Sequence, residues 1–278
     1  LVQHAPLYSF LLAAGGVLGL DPIDGARWLN ALTCGANIFL VGLLIRRTAT
    51  NLPWLWVLGS TLMLVLVPML IIHVTALSEP VFLTCTLAGF WLLARHFESP
   101  TSGRLLMSAV VIAMTLLARY AGAACVLTGA LAIVFMDSRP WRLRVRDAVL
   151  FGVIACVPML AWMTRNMLVA STATGRELSF HPVGLSHAWQ GLYTVSGWVL
   201  IPQSAPDAIR FVVWGALAIL VVVVAIRRLR TSPPIPMLVR MLALFVAIYG
   251  AFLATSISFV DANTPLDDRI LLPVLAVS

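Results

Sequence analysis

The chain has 278 residues, of which 61% are hydrophobic and only 10% charged, and its mean hydropathy is +0.99. A soluble domain carries about 25% charged residues, so a water-soluble globule is excluded and lipid is the solvent for most of this surface. The net charge of +7 would suit a nucleic-acid partner in a soluble protein. Here the basic residues, all Arg, fall in short connectors between apolar spans, which excludes that use and points to orientation in a bilayer.

The sequence opens at Leu1 without a charged leader and closes at Ser278, nine residues into an apolar run that begins at Ile270. Both ends read as cut, so residues 1–278 are expected to be one transmembrane domain that is incomplete at either side. The first apolar stretch, Pro6–Leu20, is short and broken by Gly15, Gly16 and Gly19, which predicts an interfacial or re-entrant helix. A bilayer core about 30 Å thick takes roughly 20 residues of helix. Eight spans then follow: Leu29–Ile45, Pro53–Ile72, Leu77–Ala94, Leu105–Ala118, Tyr120–Met136, Ala148–Met163, Phe211–Ile226 and Met237–Val260. The expected fold is all-α, a polytopic transmembrane helix bundle of about eight complete spans, an interfacial helix and a truncated last span.

Arg asymmetry orients these spans, because positively charged loops stay cytoplasmic. One set of connectors holds Arg46, Arg47, Arg95, Arg104, Arg139, Arg142, Arg144, Arg146, Arg227, Arg228, Arg230 and Arg240 against Glu98, Asp137 and Asp147, a net +9. The other set holds Arg27, Arg119, Arg165, Arg176, Arg210 and Arg269. Eight acids face them (Asp21, Asp24, Glu79, Glu177, Asp207, Asp261, Asp267 and Asp268), a net −2. The stretch from Leu105 to Met136 would be about 48 Å long as one helix. Because Arg104 and Arg139 both belong inside, it must cross twice, with a tight turn at Arg119-Tyr120-Ala121-Gly122. The one long connector, residues 165–208 on the outer face, carries Trp189, Trp198, Tyr193, His181 and His187, a composition suited to the membrane interface.

Few residues carry chemistry. Cys34, Cys85, Cys125 and Cys156 fall in separate spans with no metal or redox spacing, and they read as small packing residues. His4 and His73 read as interface residues, and His181 and His187 lack partners at metal spacing, so no metal and no cofactor are expected. The outer face stands out, because Arg119, Arg165 and Arg269 each lie at a helix end there and could together hold an anionic head group. Each could also simply snorkel to the interface, and Asp268 and Arg269 could pair locally. Ser78-Glu79-Pro80 is a good helix start, with Pro and an acid in the first turn, and equally a candidate functional acid.

Several short motifs resemble membrane-embedded C-type glycosyltransferases, nearest the branch of protein-O-mannosyltransferase-like and aminoarabinose-transferase-like enzymes. His4-Ala5-Pro6-Leu7-Tyr8, followed by a Gly-broken helix and Ala26-Arg27-Trp28-Leu29-Asn30-Ala31-Leu32, resembles that family's opening. Ser78-Glu79-Pro80, Arg119-Tyr120-Ala121-Gly122, the Trp162/Arg165/Asn166 group and Asp268-Arg269-Ile270-Leu271-Leu272-Pro273 resemble later family motifs in the same order. Ala5 stands where the family usually has Pro, and Ile270 where it often has Tyr, so the subfamily and its sugar stay open.

The resemblance implies a sugar transferred from a polyprenyl-phosphate donor, such as an undecaprenyl-phosphate sugar, to a lipid, protein or glycan acceptor. The reaction would take place at the outer face of a bacterial inner membrane. It implies donor-phosphate contacts from Arg119, Tyr120, Arg165 and Arg269, acceptor or loop contacts from His4, Tyr8, Asn166 and Asp268, and a supporting role for Glu79. The family's catalytic acid would lie in a loop before Leu1, so the segment given is expected to be inactive alone. The partners implied are the donor lipid, membrane lipids and the acceptor, with no nucleic acid. The rival reading is a polytopic transporter or lipid flippase without covalent chemistry, which would place ionisable residues mid-helix. Apart from Arg240, near the start of its span, the sequence places its charges at helix ends.

Overall fold

The computed structural model describes residues 4–49, 52, 54–176, 178–198, 206–231 and 235–277, with the side chains of residues 224, 225 and 228–231 outside that description. Glu177, and the side chains of Arg228 and Arg230, therefore lie outside the described residues, as does Pro53. Among the described residues the fold is all-helical, with twelve helices, no strands and 80% of residues in helix.

The Gly-broken opening forms α1 (Leu7–Val17), eleven residues long and too short to cross a bilayer. It stops where Gly19 adopts φ +85° and the amides of Leu18 and Leu20 turn back onto the Gly15 carbonyl. A residue with a Cβ pays for that backbone conformation, whereas Gly does not. The next helix, α2 (Pro22–Thr48), begins with Asp21 accepting from the Ile23 amide at 2.8 Å and Pro22 in the first turn.

The span expected from Pro53 to Ile72 is not one rod. It consists of α3 (Trp54–Val65) and α4 (Val67–Val74), bent by 57° at Leu66. Pro68 is the cause, since it has no N–H to continue the ladder and its ring displaces the preceding turn. The bend carries α4 to α5 (Glu79–Glu98), the most enclosed of the long helices. Leu83, Leu87, Phe90 and Leu93 of α5 are fully buried.

Next come α6 (Ser102–Ala118) and α7 (Gly122–Met136), joined by the tight turn expected at residues 119–122. The Gly122 amide donates to the Arg119 carbonyl at 2.9 Å, and a Cβ on Gly122 would run into the backbone of Thr115 and Leu116. Thr101 caps α6 through the Arg104 amide.

The sequence reading ended the following span at Met163, yet α8 (Trp141–Ala170) runs for 30 residues. Arg165 and Asn166 are thus inside a helix, and the long connector starts at Ser171. The polar residues 164–166 mark where the helix leaves the apolar zone, not where it ends. Within the connector lies α9 (Leu185–Ser196), followed by α10 (Asp207–Thr231), α11 (Met237–Phe259) and α12 (Asp268–Val277).

The core runs along α5, α6, α7, α8 and α11. Phe90 meets Phe245 edge-on at 5.2 Å, Phe245 stacks towards Tyr249, and Phe151 of α8 is fully buried against Gly129 of α7. Outward-facing positions remain apolar, among them Val149, Val153, Val157 and Leu160 of α8 and Val212, Ile219 and Val221 of α10. Among the described residues four helices, α2, α5, α8 and α11, are long and apolar enough to cross a membrane, or five where the bent α3–α4 pair is counted as one span. The protein is an integral membrane protein.

Polar bolts tie the helices at each end. At one end Arg47 of α2 pairs with Glu98 of α5, and Arg104 donates to the Ser99 carbonyl at 2.7 Å. Beside them Arg139 bridges Asp137 at 2.6 Å and Asp147 at 2.8 Å, and it also contacts His96 Nε2 at 3.1 Å. Burial pushes the Asp137 carboxyl up, but its hydrogen bonds from Arg139 outweigh that and hold it below the ordinary carboxylate value. Nearer the other end, Asn37 of α2 joins three elements. Its amide donates to the Pro80 carbonyl at 3.2 Å and lies 3.1 Å from His73 Nε2, while its oxygen accepts from Thr84 at 2.8 Å. Asn30, about two helical turns earlier on the same face, donates to the Thr75 carbonyl.

Candidate functional site

The second end of the bundle opens into a cavity of about 520 Å³. Its walls come from far apart in the chain: His4, Ala5 and Tyr8 of the opening, residues 76–78 before α5 and Glu79 at its start, the 118–121 turn, Arg176, the C-terminal half of α11, and Asp261, Thr264, Pro265 and Arg269. The size suits a small ligand or the head of a large one.

Glu79 anchors it. The first turn of α5 buries this side chain, so that the whole residue is only 4% exposed. Pro80 fills the second helical position and needs no amide partner there. Ser78 does not cap the helix; its hydroxyl lies 3.4 Å from Glu79 Oε2. On the other side, Glu79 Oε1 takes both Arg119 and Arg269, the latter through Nε at 3.1 Å. One buried carboxylate thus holds two guanidinium groups from residues about 150 apart in sequence, leaving their other N–H groups for the cavity.

Arg119 reaches this position because α6 ends at Ala118, which places it in extended conformation at the head of the hairpin. Arg269 reaches it from the first turn of α12, whose backbone is fixed by Tyr249, fully buried, donating to the Ile270 carbonyl at 2.7 Å. A third cation, Arg176, lies 5.7 Å above the Tyr120 ring and also lines the cavity. Burial raises the Tyr120 phenol above its ordinary value while Arg176 pulls it down. Three Arg against the carboxylates of Glu79 and Asp261 leave the cavity with an excess of positive charge. The Tyr8 hydroxyl is buried against the same space and has no hydrogen-bond partner among the described residues. A buried hydroxyl in that condition is a ready contact for a ligand oxygen.

Of the residues singled out from sequence, the cavity gathers His4, Tyr8, Glu79, Arg119, Tyr120 and Arg269. Three others stand apart from it. Arg165 is exposed on α8, stacked 5.0 Å over the Trp162 ring and donating to Asn166 Oδ1 at 3.1 Å. Asn166 is fully buried, and its amide donates to the Ala173 carbonyl at 3.2 Å, closing the end of α8. Asp268 accepts from Trp198 Nε1 at 2.9 Å, while its neighbour Arg269 pairs with Glu79. The local Asp268–Arg269 pair allowed by the sequence gives way to Arg269–Glu79.

The reading missed Arg176, Asp261 and Tyr249 as cavity residues. Arg176 was visible as one more Arg on a face that avoids them. Tyr249 carried no signal, because a Tyr inside an apolar helix looks like core until its hydroxyl partner is known. Comparison with known proteins finds no family model, no curated protein and no solved structure that matches the chain.

Proposed function

We propose that this protein belongs to a glycosyltransferase that moves a sugar from a polyprenyl-phosphate donor to a lipid, protein or glycan acceptor. The observation that carries the reading is the pair of guanidinium groups, Arg119 and Arg269, held side by side on buried Glu79 in a cavity with a net positive lining. Two forks presented together match the oxygens of a phosphate. Arg176 supplies a further charge, and Tyr8 a hydroxyl without a partner among the described residues.

In the proposed reaction an acceptor hydroxyl attacks the anomeric carbon, and the bond from that carbon to the phosphate oxygen breaks. The electron pair leaves with the polyprenyl phosphate, where the Arg pair stabilises the developing charge. A carboxylate takes the acceptor proton. Glu79 is the anchor for the Arg pair and not that base, since its Oε1 is already shared by two cations. The topology proposed with this function has eight crossings in a bacterial inner membrane, with the cavity outward. It is supported by the separation of charges, since Arg47, Arg104, Arg139 and Arg146 make their contacts at the end of the bundle opposite Glu79.

The test is sugar transfer by the full-length enzyme from a radiolabelled polyprenyl-phosphate sugar in nanodiscs. Arg119→Ala and Arg269→Ala should each raise the donor KM about ten- to a hundredfold, the effect of losing a charge-assisted hydrogen bond. Absence of transfer from every lipid-phosphate donor offered, together with unchanged donor binding in both variants, would refute the proposal.

A further inference from the structure

The long connector contains a helix whose two faces do different things. At about 100° per residue, Leu185, Trp189 and Tyr193 share one face of α9, and they are 90%, 59% and 43% exposed. Roughly a third of a turn away lies a polar face that grips residues 261–268. His187 Nε2 lies 2.9 Å from the Ala262 carbonyl, Gln190 Oε1 accepts from the Leu266 amide at 3.2 Å, and Thr194 donates to the Leu266 carbonyl at 2.7 Å. Just past the helix, Trp198 reaches Asp268. This gripped segment supplies Asp261, Thr264 and Pro265 to the cavity wall and leads directly into Arg269.

We infer that α9 is an interfacial latch: its Leu185/Trp189/Tyr193 face inserts into the neutral head-group region of the bilayer, and insertion holds the 261–268 wall of the cavity in place. Three observations select lipid as the occupant of that face. First, α9 has no Asp, Glu, Lys or Arg, so it offers nothing to a charged protein surface. Second, Trp and Tyr at one face are the residues that favour the head-group level. Third, the depth is fixed by neighbours. Trp189 stacks 5.3 Å from Phe211, and Arg210 lies 4.9 Å over Tyr193, both at the first turns of α10, where a long apolar helix begins. A helix tied to the start of a hydrophobic span sits at the membrane surface, and its outward apolar face meets lipid.

The latch is independent of which ligand the cavity takes, and its test does not use catalysis. The full chain would be placed in phosphatidylethanolamine nanodiscs. A spin label at Trp189→Cys, on a background with the four native cysteines replaced, reports depth from its collisions with oxygen and with a water-soluble nickel chelate. Hydrogen exchange of residues 261–268 is then compared among the native chain, Trp189→Glu, Leu185→Ser and the grip variant Gln190→Leu/Thr194→Val. The expected result is an interfacial depth for the label. Exchange at 261–268 should be roughly tenfold faster in the lipid-face variants, as in the grip variant, with α5 exchange unchanged. Leu185→Ser keeps the comparison usable if the buried charge of Trp189→Glu unfolds α9. A label open to the nickel chelate, or shielded from both reagents as by a protein partner, overturns the inference. Unaltered exchange at 261–268 in Leu185→Ser with α9 intact does the same.

Discussion

At the scale of single residues, the arrangement around Glu79 makes a specific claim about which group serves which. Glu79 is the counter-charge that keeps Arg119 and Arg269 together, so Glu79→Gln should leave two adjacent cations without their shared counter-charge. Stability should fall by about 1–3 kcal/mol. Inorganic phosphate should then raise the melting temperature of the variant more than that of the native protein, because the anion takes the place of the lost carboxylate. Equal shifts in both proteins would show that the Arg pair does not form an anion site. Half of this arrangement was legible beforehand. Arg119 and Arg269 were conspicuous as cations on a face that avoids them, and Glu79 as an acid in a first turn. Arg165 had the same signature, yet α8 continues past it and turns it onto Trp162. Position at a helix end is visible in sequence, whereas the direction of a side chain depends on where the helix actually stops.

Among the helices, close approach and polar bolts decide what tolerates change. The α6–α7 hairpin depends on Gly122, because any Cβ there meets the backbone of Thr115 and Leu116. Gly122→Val should cost about 1–3 kcal/mol by overpacking and displace Arg119, lowering both the melting temperature and anion binding. A variant as stable as the native protein would show that the turn can open freely. At the opposite end the lowered Asp137 carboxyl gives a signed pH effect. Its stabilising contribution is fully present above the ordinary value of 3.8 and is lost as pH falls through the lower value it has in the folded chain. Thermal melts of the native protein should therefore lose stability on acidification below 3.8 more steeply than those of Asp137→Asn. Parallel curves would remove Asp137 from the account. Helix existence was mostly plain from apolar run length. The α3–α4 bend was signalled by Pro68 but hidden by unbroken hydrophobicity, which hydropathy alone reads as one span.

Over the whole molecule, two separated ends emerge from one alternating pattern of charge. Arg alternation placed Glu79, Arg119 and Arg269 on one side before any geometry was known, and the bundle brings these three together although their helices are distant in sequence. The cavity itself was not legible, since its wall depends on residues between 256 and 265 and on the α9 contacts that hold them. Cysteine labelling in sealed vesicles should find Arg46, Arg95 and Arg142 positions on the cytoplasmic side and Glu79 and Asp261 positions outside. Labelling of positions 142 and 261 from the same side would contradict the eight-crossing topology. The most direct measurement of the central claim is photo-crosslinking of the full-length protein with a polyprenyl phosphate that carries a diazirine beside its phosphate. The account predicts adducts in peptides 4–9, 118–121 and 256–270, strongly reduced in Arg119→Ala and Arg269→Ala. Adducts confined to the Arg47–Glu98 end, or adducts at the cavity that neither variant reduces, would contradict it.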